Sequence, residues 1–203
     1  MARLPAFPYR TVLRLSMRAT HGPMHAPFLK SGLRYVLRPV LLRMFRVRVT
    51  YNASTTALLR SGEPCILACN HVSLLDGIIV ALASPVPLAF AVDTEYSRGA
   101  GATTRFLQLL AWLGFGKIIP TDATAPFGVR TLLTELTRGG RVMVFPEGRI
   151  SETGERGLDQ PGVKWLADRS GVAVAELQIR GAEQSRLFAK NGSAMWPRIR
   201  ISF

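Results

Sequence analysis

His71 and Asp76 are the two side-chain types that proton-transfer chemistry needs. They share one short stretch, Asn70-His71-Val72-Ser73-Leu74-Leu75-Asp76-Gly77. An imidazole takes a proton from an alcohol near neutral pH. A carboxylate on its other ring nitrogen fixes the tautomer and stabilises the imidazolium that forms. The same residues also read as a helix N-terminus, with Ser73 as N-cap and Asp76 as the acidic half of a capping box. The two readings are compatible. Ser73 lacks the Gly-x-Ser-x-Gly surroundings of a nucleophile elbow. Asn70, or backbone N–H groups after His71, are the candidate donors to a developing oxyanion.

A second block, Val144-Phe145-Pro146-Glu147-Gly148-Arg149-Ile150-Ser151, offers a different chemistry. The guanidinium of Arg149 is a planar fork suited to a phosphate. Glu147 is placed to hold Arg149 or to meet a substrate hydroxyl. Pro146 and Gly148 would equally serve a plain strand-to-loop turn. Asn70, Ser73, Glu147, Gly148 and Arg149 form the candidate substrate-binding set, around His71 and Asp76 as candidate catalytic pair. The three histidines, His21, His25 and His71, form no metal-ligand cluster, and His21 and His25 fall among chain breakers.

The elements that must position these residues alternate. Both blocks follow short apolar runs, residues 65–69 and 142–145, that read as buried strands. Further strands are expected over 47–51, 88–92, 117–120, 172–179 and 198–203. Helices are expected over 74–83, 104–113, 125–138 and 163–170. This alternation predicts a single α/β domain with a largely parallel mixed sheet flanked by helices. Chemistry then sits at strand ends. Residues 152–162 are polar and glycine-rich and read as a loop.

Ahead of this body, residues 30–46 carry Leu33, Val36, Leu37, Val40, Leu41, Met44 and Phe45 at helical spacing, with Arg34, Arg38, Arg43 and Arg46 around the margins. Pro39 predicts a kink or two helical pieces. The stripe serves either packing on the core or docking on a bilayer with arginines at lipid phosphates. A shorter helix is expected over 9–19, with Arg10, Arg14 and Arg18 on one side. The division is thus a basic helical element over 1–46 and an α/β domain over 47–203.

The two blocks together, His-x4-Asp and then Phe-Pro-Glu-Gly-Arg, resemble the glycerophosphate and lysophospholipid acyltransferase family over residues 47–181. Asn70 to Gly77, Phe145 to Ser151 and Arg180-Gly181-Ala182-Glu183 look nearest to the acyltransferase half of bifunctional 2-acylglycerophosphoethanolamine acyltransferase/acyl-carrier-protein synthetases. The resemblance implies transfer of a fatty acyl group from acyl-CoA or acyl-carrier protein to a lysophospholipid hydroxyl. It implies no further cofactor. It also implies a second block at the glycerol-phosphate end and an N-terminal element on a membrane. Two positions depart from the family pattern. Members that use lysophosphatidic acid often carry an arginine where residues 114–122 here have only Lys117, which favours a capped phosphate over 1-acylglycerol-3-phosphate. Glu176 stands where the family usually has proline.

Charge narrows the partners. Up to Cys69 the chain has 11 Lys/Arg against one acid, and the rest has 15 against 12. A basic first third calls for an anionic partner. No zinc-finger, RNP or basic-zipper pattern supports nucleic acid, so an anionic membrane surface is expected. No apolar run reaches the roughly 18 residues of a spanning helix, and no signal-peptide core is present. The expectation is a peripheral protein on the cytoplasmic face of a membrane. A non-catalytic lipid-binding protein on the same fold is the alternative of another class. Cys65 and Cys69 lie on one face of one strand, too far apart to bridge, and read as buried thiols.

Overall fold

The computed structural model describes residues 26–93, 101–121 and 126–203. The expected helix over 9–19, with Arg10, Arg14 and Arg18, and the histidines His21 and His25 lie outside these residues. Seven strands form one sheet: β1 (Val47–Thr50), β2 (Cys65–Cys69), β3 (Leu88–Asp93), β4 (Gly116–Thr121), β5 (Arg141–Val144), β6 (Ala173–Arg180) and β7 (Ile199–Ser202). Their order is β1-β7-β6-β2-β5-β3-β4. All neighbours are parallel except β6 and β7. The expected α/β fold with a largely parallel sheet is what the chain adopts, each strand within a residue or two of its expected bounds.

Helices cover the sheet on both sides: α1 (Ala26–Met44), α2 (Ala53–Arg60), α3 (Asp76–Ala83), α4 (Ala102–Trp112), α5 (Pro126–Thr137) and α6 (Pro161–Ser170). β2 is central, and all five of its residues are buried. A strand covered on both faces reads as a continuous apolar run. Cys65, Leu67 and Cys69 join the core built with α3 and α4, while Ile66 and Ala68 join the one built with Leu132, Leu136 and Leu166 of α5 and α6. Both cysteines are free, and burial pushes their thiols up from the ordinary range, Cys69 far more than Cys65.

Two elements differ from expectation. α1 runs through Pro39 as one helix and is not split into two pieces. The ring removes the bond to the Tyr35 carbonyl, but Tyr35 and Pro39 are both exposed, so water can donate to that carbonyl in place of the missing N–H. α2 is absent from the sequence reading because Ser54, Thr55 and Thr56 are weak helix formers. Its start is set by Asn52, whose side-chain oxygen accepts the Ser54 N–H at 3.1 Å.

Candidate active site

The sheet order puts β5 beside β2, both running the same way, with Ala68 opposite Val144. The two sequence blocks leave these strands side by side at the carboxyl edge of the sheet, where α/β folds place ligands. The ring of Phe145 stacks on that of His71, centroids 3.9 Å apart and planes 14° from parallel. Gly148, at φ 69°, turns the second block over with its N–H on the Phe145 carbonyl. That positive φ is why glycine stands there.

Asp76 is fully buried at the first turn of α3. Its Oδ2 lies 3.0 Å from His71 Nδ1 and also accepts the N–H of Val72 at 2.6 Å and of Ser73 at 2.7 Å. Its Oδ1 accepts the Ser73 hydroxyl at 2.9 Å, and that hydroxyl in turn accepts the Leu75 N–H. Ser73 is not the expected N-cap, because α3 is entered through Leu75 without a side-chain cap; the one Asp76 carboxylate ties the Val72–Ser73 turn and the histidine together. With a carboxylate accepting at Nδ1, the proton sits there and Nε2 is the basic nitrogen. Nε2 has no partner among the described residues, and the His71 side chain is 19% exposed. This arrangement can accept a proton from an incoming hydroxyl.

Glu147 has a different job from the one expected. Its Oε1 accepts the His71 N–H at 3.0 Å and its Oε2 the Gly157 N–H at 2.9 Å, and the residue is buried. It does not hold Arg149, because both oxygens are turned inward onto backbone. The His71 carbonyl in turn accepts the Ser151 N–H, and Pro146 accepts that of Gln160. The loop over 152–160 is thereby laced to the histidine.

The sequence profile of the acyltransferase family matches residues 47–180. The chain belongs to that family. The acyltransferase fold is also similar to the crystal structure of the 1-acyl-sn-glycerophosphate (LPA) acyltransferase PlsC from Thermotoga maritima. That match has a TM-score of 0.58 and 20% identity, over 87% of this chain and 69% of the other.

The remaining residues of this acyltransferase sort by their bonds. Asn70 clasps the backbone of Ile179 on β6, donating to its carbonyl at 2.8 Å and accepting its N–H at 2.7 Å. It is an extra rung between β2 and β6, with at most one N–H hydrogen to spare. The expected backbone oxyanion donors are also taken. The N–H groups of His71, Val72, Ser73, Leu74 and Leu75 end on Glu147, Asp76, Asp76, the Phe188 carbonyl and the Ser73 hydroxyl. Asn70, Ser73 and Glu147 thus hold the loop and do not line its surface. Gly148 and Arg149 are exposed, and Arg149 makes no hydrogen bond or ion pair among the described residues.

Lys117, the cation in the place of the family arginine, is paired with Glu135 at 2.5 Å. Glu176 faces outward from a regular parallel pairing, opposite Ala68, and meets Arg156 at 3.4 Å. Replacing a strand proline by this residue leaves the ladder to β2 unbroken. Of the four expected membrane arginines, Arg34 and Arg38 on α1 and Arg46 just past its end bond to carbonyls of the body, Arg46 while still exposed. Arg34 donates to the Gly114 carbonyl, Arg38 to Ala83 and to the Tyr51 hydroxyl, and Arg46 to Trp196. Arg43 stays exposed. Leu37, Leu41 and Phe45 pack on the core, while Leu33, Val36, Val40 and Met44 form an outer row left in solvent. Among the described residues no helix is long and apolar enough to cross a membrane.

Proposed function

We propose that this chain transfers a fatty acyl group from a thioester, acyl-CoA or acyl-carrier protein, to the free hydroxyl of a lysophospholipid, in phospholipid synthesis or remodelling. The contact of His71 Nδ1 with the buried Asp76 carboxylate carries this reading. Nε2 takes the proton of the acceptor hydroxyl as its oxygen attacks the thioester carbon. Asp76 stabilises the imidazolium. The tetrahedral intermediate then collapses, the carbon–sulfur bond breaks, and the leaving thiolate takes the proton back from Nε2. The products are an ester and a free thiol, and no acyl-enzyme is required.

Arg149 receives the head-group phosphate: it is exposed, unpaired and two residues past the carboxylate that grips the His71 backbone. Lys117, the one cation of residues 114–122, is engaged with Glu135, which supports a capped phosphate, hence a phosphodiester acceptor like that of the bifunctional enzymes the sequence resembles. The likeness to PlsC, an LPA acyltransferase, supports the second reading, 1-acylglycerol-3-phosphate as acceptor. The outer apolar row of α1 supports a peripheral position on the cytoplasmic face of an anionic membrane, reached through side chains other than the arginines.

The test is acyl transfer by the purified protein and its His71→Ala variant. Labelled acyl-CoA and acyl-carrier protein are each offered with lysophosphatidylethanolamine and lysophosphatidic acid. Turnover lost with His71 and faster on lysophosphatidylethanolamine is the expected result. Preference for lysophosphatidic acid moves the acceptor to the second reading. Turnover unchanged in His71→Ala overturns the mechanism.

A further inference from the structure

The outer face of β6, β7 and β1 carries a row of arginines that the site does not use. Arg180 on β6 is opposite Arg200 on β7, and Arg200 is opposite Arg48 on β1. Partners in register share a face of the sheet, so three guanidinium stems stand side by side across three strands. Arg198, two residues before Arg200, is exposed beside them. None of the four has an ion pair or side-chain hydrogen bond among the described residues. The opposite face of these strands, Val47, Val49, Ile179, Ile199 and Ile201, packs into the core on the α3 side. Glu176 is the one acid the same face carries near the row, and Arg156 holds it. Like charges directly opposite one another in a sheet destabilise it. A cost left uncompensated in the free chain is recovered when an anion binds.

The row is close to the chemistry. β6 lies next to β2, and the Asn70 clasp on Ile179 ties the residue before Arg180 to the residue before His71. We infer that this arginine row docks an acidic protein that presents the acyl thioester to His71. The inference rests on the acyl-transfer reading. Three features choose this occupant. The row lies on a bare sheet face, whereas small phosphorylated ligands favour concave sites. Among the described residues, β1, β6 and β7 add Thr50, Gln178 and Ser202 to this face but no aromatic ring on which nucleic-acid bases would stack. The exposed apolar row of α1, the surface suited to lipid, belongs to the opposite side of the sheet. Three aligned cations against carboxylates give the long-range attraction and salt dependence of steered protein encounters.

The test compares the full chain with the variant Arg48→Thr, Arg180→Thr, Arg200→Thr, whose substitutions suit exposed strand positions. Thermal melting first establishes that the variant is folded, and the single Arg200→Thr change serves if the triple is not. Binding of acyl-carrier protein is read by fluorescence anisotropy at low and high salt, independently of turnover. Acyl transfer is then read with carrier-borne and CoA-borne donors. The expected result is roughly tenfold or greater weakening of carrier-protein binding, and an equal rise in KM for that donor, with the CoA donor unaffected. A rise for the CoA donor alone makes the row a phosphate subsite and overturns the inference. So does loss of binding to anionic vesicles with carrier-protein binding intact. Carrier-protein binding that is absent in the unaltered chain at low salt also overturns it, even where CoA-dependent turnover stands. Binding through the row with no turnover from any donor overturns the acyl-transfer reading instead.

Discussion

Replacing Asp76 separates its two tasks, because asparagine and alanine fail in different ways. The carboxylate accepts two buried backbone N–H groups, those of Val72 and Ser73, along with the Ser73 hydroxyl and His71 Nδ1. Asp76→Ala orphans both backbone donors at positions that are 1% and 0% exposed. Each orphaned buried donor costs about 1–3 kcal/mol, so roughly 2–6 kcal/mol is lost from a total that for most domains is only about 5–15. The alanine variant is expected to be poorly folded. Asp76→Asn keeps the acceptor: the amide oxygen occupies the place of Oδ2, and the amide nitrogen donates to the Ser73 hydroxyl oxygen at the other end. The fold is expected to survive with a modest drop in melting temperature.

What asparagine cannot supply is the charge. An imidazolium and a carboxylate at the 3.0 Å seen here attract by roughly 5 kcal/mol at an effective dielectric of about 20. Each factor of ten in rate is worth about 1.4 kcal/mol. The asparagine variant is therefore expected to lose roughly three and a half to four orders of magnitude in kcat/KM. Thermal unfolding and labelled-acyl transfer on the same preparations check both halves. An Asp76→Asn protein that keeps more than about a tenth of the activity would refute the assignment of Asp76 as orienter. An Asp76→Ala protein as stable as the unaltered chain would refute the account of the Val72–Ser73 turn.

Glu147→Ala removes two charge-assisted acceptors, one from the half-buried His71 N–H and one from the exposed Gly157 N–H, and is expected to cost about 1–3 kcal/mol. Limited proteolysis should then cut the loop over 152–160 sooner, and kcat should fall more than KM rises; a reverse split would return Glu147 to substrate binding. Arg149→Ala touches no described bond, so the melting temperature should hold within about a degree or two while KM for the lysophospholipid rises roughly tenfold or more. Unchanged KM there removes Arg149 from the head-group site. Burial raises the thiols of Cys65 and Cys69, so the folded chain holds those protons more tightly than the unfolded one. Their contribution is present below the ordinary thiol value of about 8.5 and is lost as pH rises above it. Denaturant midpoints should decline on that alkaline limb, less steeply in Cys69→Ala, and iodoacetamide should reach Cys69 only on unfolding.

Strand positions were legible because β2 is buried along its whole length and β3 and β5 over residues 88–90 and 142–144, stretches that must be apolar. The pairing of the two blocks at one edge was legible too, since each follows such a strand. Which polar atom would bond which was not. Asn70, Ser73 and Glu147 look like substrate ligands in the sequence because they flank His71 and Arg149 there, and spacing along the chain says nothing of burial. A buried polar group must be bonded, and the partners at hand were backbone donors: Ile179 for Asn70, Leu75 for Ser73, His71 and Gly157 for Glu147. The same rule separates scaffold from chemistry. Of the candidate catalytic and substrate-binding side chains that carry polar atoms, only the outer nitrogen of His71 and the guanidinium of Arg149 are left, among the described residues, with bonding capacity and access to solvent. Arg34, Arg38 and Arg46 donate to the carbonyls of Gly114, Ala83 and Trp196, while the apolar row of Leu33, Val36, Val40 and Met44 stays outside. A helical stripe marks both rows alike, and only the body packed against one of them decides which is core.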